Sequence, residues 1–147
     1  MKKIIIFTDG GSRGNPGPSA IGVVVCGDNG QAAKEYGEYL SDSSTNNEAE
    51  YQAAIFALTK LRSLIGKKTS ASVVVEVHSD SELMVRQLEG KYKIIEPRIG
   101  ELFLKIWNLK VDFNKVSFKL IPRKENKRAD RLVNETLDRK TRERRLI

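Results

Sequence analysis

Cysteine, histidine and tryptophan each occur once in these 147 residues. The single thiol, Cys26, excludes an internal disulfide, and within the apolar run IGVVVC it reads as a small core residue of an intracellular, cytoplasmic chain. One cysteine and one histidine cannot assemble a Cys/His metal site, and no Ser/His/Asp arrangement can be built around His78. That histidine, at a strand end, reads as structural. Long apolar runs are also missing. The start MKKIIIFTD is apolar for four residues before an aspartate interrupts it, so neither a secretory segment nor a membrane span is expected. With no internal repeat and no long linker, the chain suits one domain that buries a core without disulfides or a structural metal, and a monomer is the default at this size.

Charge is present and unevenly placed. The net charge is +7, and from Lys119 to Ile147 there are 11 Lys or Arg against 5 Asp or Glu, so the last fifth carries nearly all of it. Such a segment suits nucleic acid, and equally a solvated, highly charged final helix.

Hydrophobic spacing and turn residues predict strands at Lys2–Thr8, Ala20–Cys26 and roughly Gln31–Tyr39, with Gly10–Pro18 and Gly27–Gly30 as turns. A long helix follows over Ser43–Ile65, closed by Gly66. Then come a strand at Val73–Val77, helices at Ser81–Leu88 and Pro97–Leu109, a strand at Val116–Ile121 and a helix from Asn126 onward. The order βββαβααβα implies an α/β domain with a mixed five-stranded sheet, antiparallel in its first three strands and parallel where helices cross over. Phe103 and Trp107, on the Pro97 helix, read as core.

Four acidic residues stand in distinctive settings: Asp9 in TDGGSRGNPGP, Glu50 in STNNEAEY, Asp80 in SDSELMVRQL and Asp130 in ENKRADRLVN. Asp9 and Asp80 fall past strand ends, where α/β sheets place their functional crevice. Asp9 alone reads as a turn residue, and Asp80 alone as a helix N-cap. At 100° per residue, Glu50 shares a face with Ala53, Ala54, Ala57, Leu61 and Leu64, so it points inward, whereas Glu48 lies about 200° away and suits the helix N-terminal turn. Asp130 shares a face with Val133, Asn134 and Leu137 and is expected on the core side. Clustered carboxylates resist simultaneous ionisation unless cations neutralise them, so folding these four together implies a divalent metal site. The stretch GSRGNPG, which follows Asp9 and Gly10, is read as a loop whose backbone is open to a sugar-phosphate chain.

At these four motifs, in order from Ile4 to about Leu137, the chain resembles the type 1 ribonuclease H family, nucleases that cut the RNA strand of an RNA/DNA hybrid. The resemblance implies a ribonuclease H domain over residues 1–138 and a basic tail or helix extension over 139–147. It implies Asp9, Glu50, Asp80 and Asp130 as catalytic and metal-binding residues for two Mg²⁺ ions, with Mn²⁺ a substitute. Asp9 would touch both ions, Asp130 would hold the one that serves the attacking water, and Glu50 and Asp80 would complete the other. Such an endoribonuclease leaves 5′-phosphate and 3′-hydroxyl ends and needs no protein nucleophile.

By the same resemblance, Gly11, Ser12, Asn15, Asn46 and Asn47 contact the hybrid, and Thr45 belongs to a pocket for a DNA-strand phosphate. Thr45 and Asn46 also suit simple helix capping. The chain departs from the family in three places. Its shorter loop IPRKEN puts Arg123 or Lys124 where many relatives have a histidine, and EGKYKIIEPRIGELF lacks a basic, Trp-containing protrusion. Glu82 replaces a groove-reading glutamine. Double-stranded RNA is the alternative substrate, and a binding module without cleavage is the alternative class, against which the intact tetrad argues.

Overall fold

The computed structural model of the protein describes residues 2–27, Gly30 and 32–146. Its elements are β1 (Lys3–Ser12), β2 (Gly17–Cys26), β3 (Ala32–Ser44), α1 (Asn46–Ser70), β4 (Val74–Ser79), α2 (Glu82–Leu88), α3 (Pro97–Lys110), β5 (Lys115–Leu120) and α4 (Lys127–Arg145). A single 3₁₀ turn, Arg123–Glu125, precedes α4. The sheet order is β3-β2-β1-β4-β5, with β1, β2 and β3 paired antiparallel and β1, β4 and β5 paired parallel. This is the mixed five-stranded sheet expected from the sequence.

Side chains alternate across the strands, as a period of two requires. Ile4, Ile6, Val23 and Val25 turn toward α1, α2 and α3, where they meet Tyr51, Leu58, Met84, Val85, Leu102 and Ile106. Val24 and Cys26 turn the other way, toward Ala129 of α4, and Val133 and Leu137 pack on Ala20. Cys26 is buried, as expected. No helix among the described residues is long and apolar enough to cross a membrane.

Several boundaries differ from those read in the sequence. β1 continues through Asp9, Gly10 and Gly11 to Ser12, paired with β2 down to Ser12–Ser19, so most of the glycine-rich stretch is strand and only its tip turns. β3 runs on to Ser44, and α1 begins at Asn46. Gln31, the expected start of β3, lies outside the described residues, as do Asp28 and Asn29 of the preceding turn. Gly66 does break α1, at φ 83°, but a further helical turn resumes and ends at Ser70. Leu64 departs from the buried stripe of α1 and is 46% exposed, while its neighbour Ile65 packs against the core. Trp107 is 56% exposed and stacks on the partly buried Phe103, so it is a surface residue and not core.

Candidate active site

Parallel pairing of β1 with β4 stops at Phe7–His78, and β1 continues beside β2 alone. Asp9 lies two residues past that fork, inside the strand and not beyond its end as expected, and Asp80 follows the last residue of β4. Glu50 comes from the start of α1. Its approach depends on Gly10, where a Cβ would stand 2.2 Å from the Ala49 carbonyl oxygen and 2.6 Å from the Glu50 nitrogen. Only a residue without a side chain allows strand and helix backbones to touch in this way. Gly10 therefore serves packing, in place of the turn read from the sequence.

Carboxylate oxygens of Asp9, Glu50 and Asp80 all lie within 4.8 Å of one another. Asp130 is not in that trio. It is exposed, not core-facing as expected, and stands on the wall of the same cleft of about 410 Å³. At this turn of α4 it is Ala129 that meets the sheet, its carbonyl oxygen 2.2 Å from where a Cβ on Gly22 would be, which leaves the next residue facing the opening. Val133, Asn134 and Leu137 line the cleft beside it, so the shared helical face read from the sequence holds.

Asp9 is only 7% exposed; burial, reinforced by the charge of Asp80, pushes its pKa up to about 7. Burial, then the charges of Asp9 and Asp80, also raises the pKa of Glu50 well above the usual carboxylate range, opposed by the Gly10 N–H. Glu50 is half-buried as a residue, yet its Oε2 is sealed from solvent with no hydrogen-bond partner among the described residues. An orphaned carboxylate oxygen beside two further carboxylates is costly, and a hard divalent cation with oxygen ligands relieves that cost. The donor set fits such an ion.

Asp80 does not cap α2. Ser81 does, its Oγ accepting from Met84 N at 3.2 Å, which leaves the Asp80 carboxylate for the cleft. Asp80 Oδ2 instead accepts from Asn126 Nδ2 at 3.2 Å. In the sequence Asn126 reads only as the start of a helix. Its only local signal was an Asn in the ENKRAD motif, four residues before Asp130.

The proposed substrate residues divide into two groups. Gly11, Ser12, Asn46 and Arg123 line the cleft with the four acids, and Arg13, not singled out in the sequence, joins them. Asn46 Oδ1 accepts from Ser12 N and Oγ at 2.9 and 3.1 Å, and Asn15 Oδ1 accepts from Asn46 N at 3.0 Å, so the β1–β2 loop is tied to the start of α1. Thr45 caps α1 in a reciprocal box with Glu48, at 3.1 and 3.3 Å. Asn47 faces a separate hollow of about 200 Å³ beside Gln87 and Lys93, and its Oδ1 is sealed without a partner among the described residues. Glu82 sits on the exposed first turn of α2, outside the cleft lining. His78 is buried, with Nε2 2.6 Å from Glu76 Oε1 and its ring edge-on to Phe7, in keeping with a structural role.

Comparison with known proteins bears on this geometry. The family model described as reverse transcriptase-like matches residues 7–136. The ribonuclease HI of Halobacterium salinarum is 37% identical over 137 residues, covering 92% of this chain and 65% of that protein. A bifunctional protein of Mycobacterium tuberculosis is 35% identical over 92% of this chain, which spans only 36% of that protein's length. Among solved structures, LC11-RNase H1, obtained from compost by a metagenomic approach and crystallised in complex with an RNA/DNA hybrid, superposes with a TM-score of 0.88. It is 47% identical, over 94% of this chain and 99% of that one.

Proposed function

This chain belongs to the type 1 ribonuclease H family, and we propose that it is a metal-dependent endoribonuclease that hydrolyses the RNA strand of RNA/DNA hybrids to 5′-phosphate and 3′-hydroxyl ends. The observation that carries the reading is the trio of carboxylates from three distant segments of the chain, packed within 4.8 Å of one another with one oxygen sealed and unpartnered among the described residues. Glu50 and Asp80 would hold one Mg²⁺, Asp130 a second, and Asp9 would serve both, with Mn²⁺ as a substitute. When bound, the two ions would supply charge stabilisation at the scissile phosphate and lower the pKa of a water enough to make it a nucleophile.

The chain's own residues position the substrate. Neither Asn15 nor Asn46 uses its Nδ2 on a protein partner among the described residues, and both residues are exposed, so two amide donors are left for a substrate. An RNA 2′-hydroxyl, both donor and acceptor, is what such groups can distinguish from DNA. Arg123, exposed on the 3₁₀ turn and lining the cleft, offers a guanidinium to a phosphate where the family's loop histidine is missing.

Cleavage assays on matched RNA/DNA hybrid, double-stranded RNA and double-stranded DNA, each with Mg²⁺ and with chelator, test the reading. Hybrid cleavage that needs the metal is expected. Equal cutting of double-stranded RNA would move the substrate class, and binding without cutting in Mg²⁺ or Mn²⁺ would make the chain a binding module.

A further inference from the structure

Asn126 sits between the 3₁₀ turn and α4 and is 1% exposed. A residue at that position ordinarily caps its helix, yet this side chain makes no capping bond. Its amide nitrogen donates instead to the Thr8 carbonyl oxygen at 2.9 Å and to Asp80 Oδ2 at 3.2 Å. Both partners are acceptors, which settles which end of the amide is the nitrogen. The backbone carbonyl of Asn126 accepts from the Asp130 N–H at 3.1 Å. One residue thus touches the peptide joining Thr8 to Asp9, the carboxylate of Asp80 and the backbone of Asp130.

We propose that Asn126 is a positioning residue that sets the Asp80 carboxylate against Asp9 and so prepares the site for a divalent cation. The proposal rests on the metal-dependent reading of that site. A carboxylate turns readily about its Cβ–Cγ bond, and a donor on Oδ2 fixes that rotation and the direction of the remaining lone pairs. Without it, Asp80, crowded by two other carboxylates, gains by swinging toward water. A neutral amide supplies the bond without a positive charge that would compete with the cation, as Lys or Arg would. The cost is visible: Asn126 Oδ1 is buried with no partner among the described residues. Leucine has nearly the same shape and would avoid that cost, so the position is polar for its donor alone.

Calorimetric titration of the metal-free protein with Mn²⁺ tests this, in the wild type, Asn126→Ala, Asn126→Leu, Asp80→Asn and the Asn126→Leu/Asp80→Asn double variant. Leucine guards against collapse of a cavity. Each Asn126 variant should bind Mn²⁺ about 10- to 100-fold more weakly, the range for residues that orient a metal ligand. In the Asp80→Asn background, Asn126→Leu should add nothing. Unchanged affinity, losses that multiply in the double variant, or a lowered melting temperature with intact affinity would each overturn the proposal. If the wild type binds Mn²⁺ but leaves hybrids uncut, the substrate reading fails and the positioning role stands. A wild type that takes up no Mn²⁺ would overturn both.

Discussion

Gly10 and Ala49 touch through their backbones: a Cβ on Gly10 would lie 2.2 Å from the Ala49 oxygen and 2.3 Å from its carbonyl carbon. Because Glu50 is the next residue, this contact sets the distance between the carboxylate of α1 and that of β1.

Gly10→Ala should therefore separate Glu50 from Asp9. The clash is with backbone, so relief requires α1 to move, and a stability loss of about 1–3 kcal/mol is expected together with a fall in turnover of at least about tenfold. Gly11→Ala is the control, since its Cβ would meet only Val133 Cγ1 at an ordinary 3.5 Å. Denaturant melts on the pair, with hydrolysis rates for Gly10→Ala, check this; equal stability losses in the two variants would remove the packing role assigned to Gly10.

Glu48 and Glu50, two residues apart, should respond oppositely to loss of charge. Glu50→Gln is expected to lower turnover by more than about 100-fold, the scale for removing a group that manages charge at a reacting centre. Glu48→Gln keeps a side chain able to complete the capping box with Thr45 and should change turnover less than about twofold. The reverse pattern in a hydrolysis assay would mean that the wrong acid has been placed in the site.

The metal-free fold should be sensitive to pH above the usual carboxylate range. Asp9 titrates near 3.8 when unfolded and at about 7 when folded, so between those values the folded protein holds a proton that the unfolded chain has released. Stability from this source is present at acid pH and is lost as pH rises through about 7. In chelator, the melting temperature should fall from about pH 5 to about pH 8, and Asp9→Asn should flatten that slope. A divalent ion, which takes the place of the proton, should restore stability most at the alkaline end. A melting temperature that climbs over this range in chelator would contradict the burial argument.

Arg123 offers a kinetic test. If its guanidinium positions the scissile phosphate or aids product departure, Arg123→Ala should lower kcat with little change in KM. An unchanged kcat with a raised KM would mark it as a binding contact only.

The basic end of α4 is more engaged than its charge implies. Arg144 pairs with Asp42 and lies over Tyr39, Lys140 faces the same ring, and Arg13 holds Asp138 at 2.6 Å. Arg139, Arg142 and Arg145 have no ion-pair partner among the described residues and remain available to phosphates. Changing those three to Gln should make hybrid binding less salt-dependent, by up to about one counterion per lost contact, at constant melting temperature. Removing everything after Asp138 should also lower the melting temperature, through Arg144. Leu146 is 87% exposed and is not the anchor, and Ile147 lies outside the described residues.

What the sequence by itself determined was whatever repeats over short distances. Alternation placed the strands, helical spacing put Ala53, Ala54, Ala57 and Leu61 inward, and the four acidic motifs marked residues that the fold gathers in one cleft. The tertiary structure alone decided the rest. Glycine is a turn former and a packing residue alike, and only the arrival of α1 at Gly10 and of α4 at Gly22 showed which. Asp80 and Ser81 are both competent caps, and the choice fell to Ser81 once Asp80 had a partner 46 residues away. Asn126 was silent in the sequence because its two acceptors lie 118 and 46 residues distant. Periodicity records only what neighbouring residues share, so a hydrogen bond across the fold leaves no trace in it.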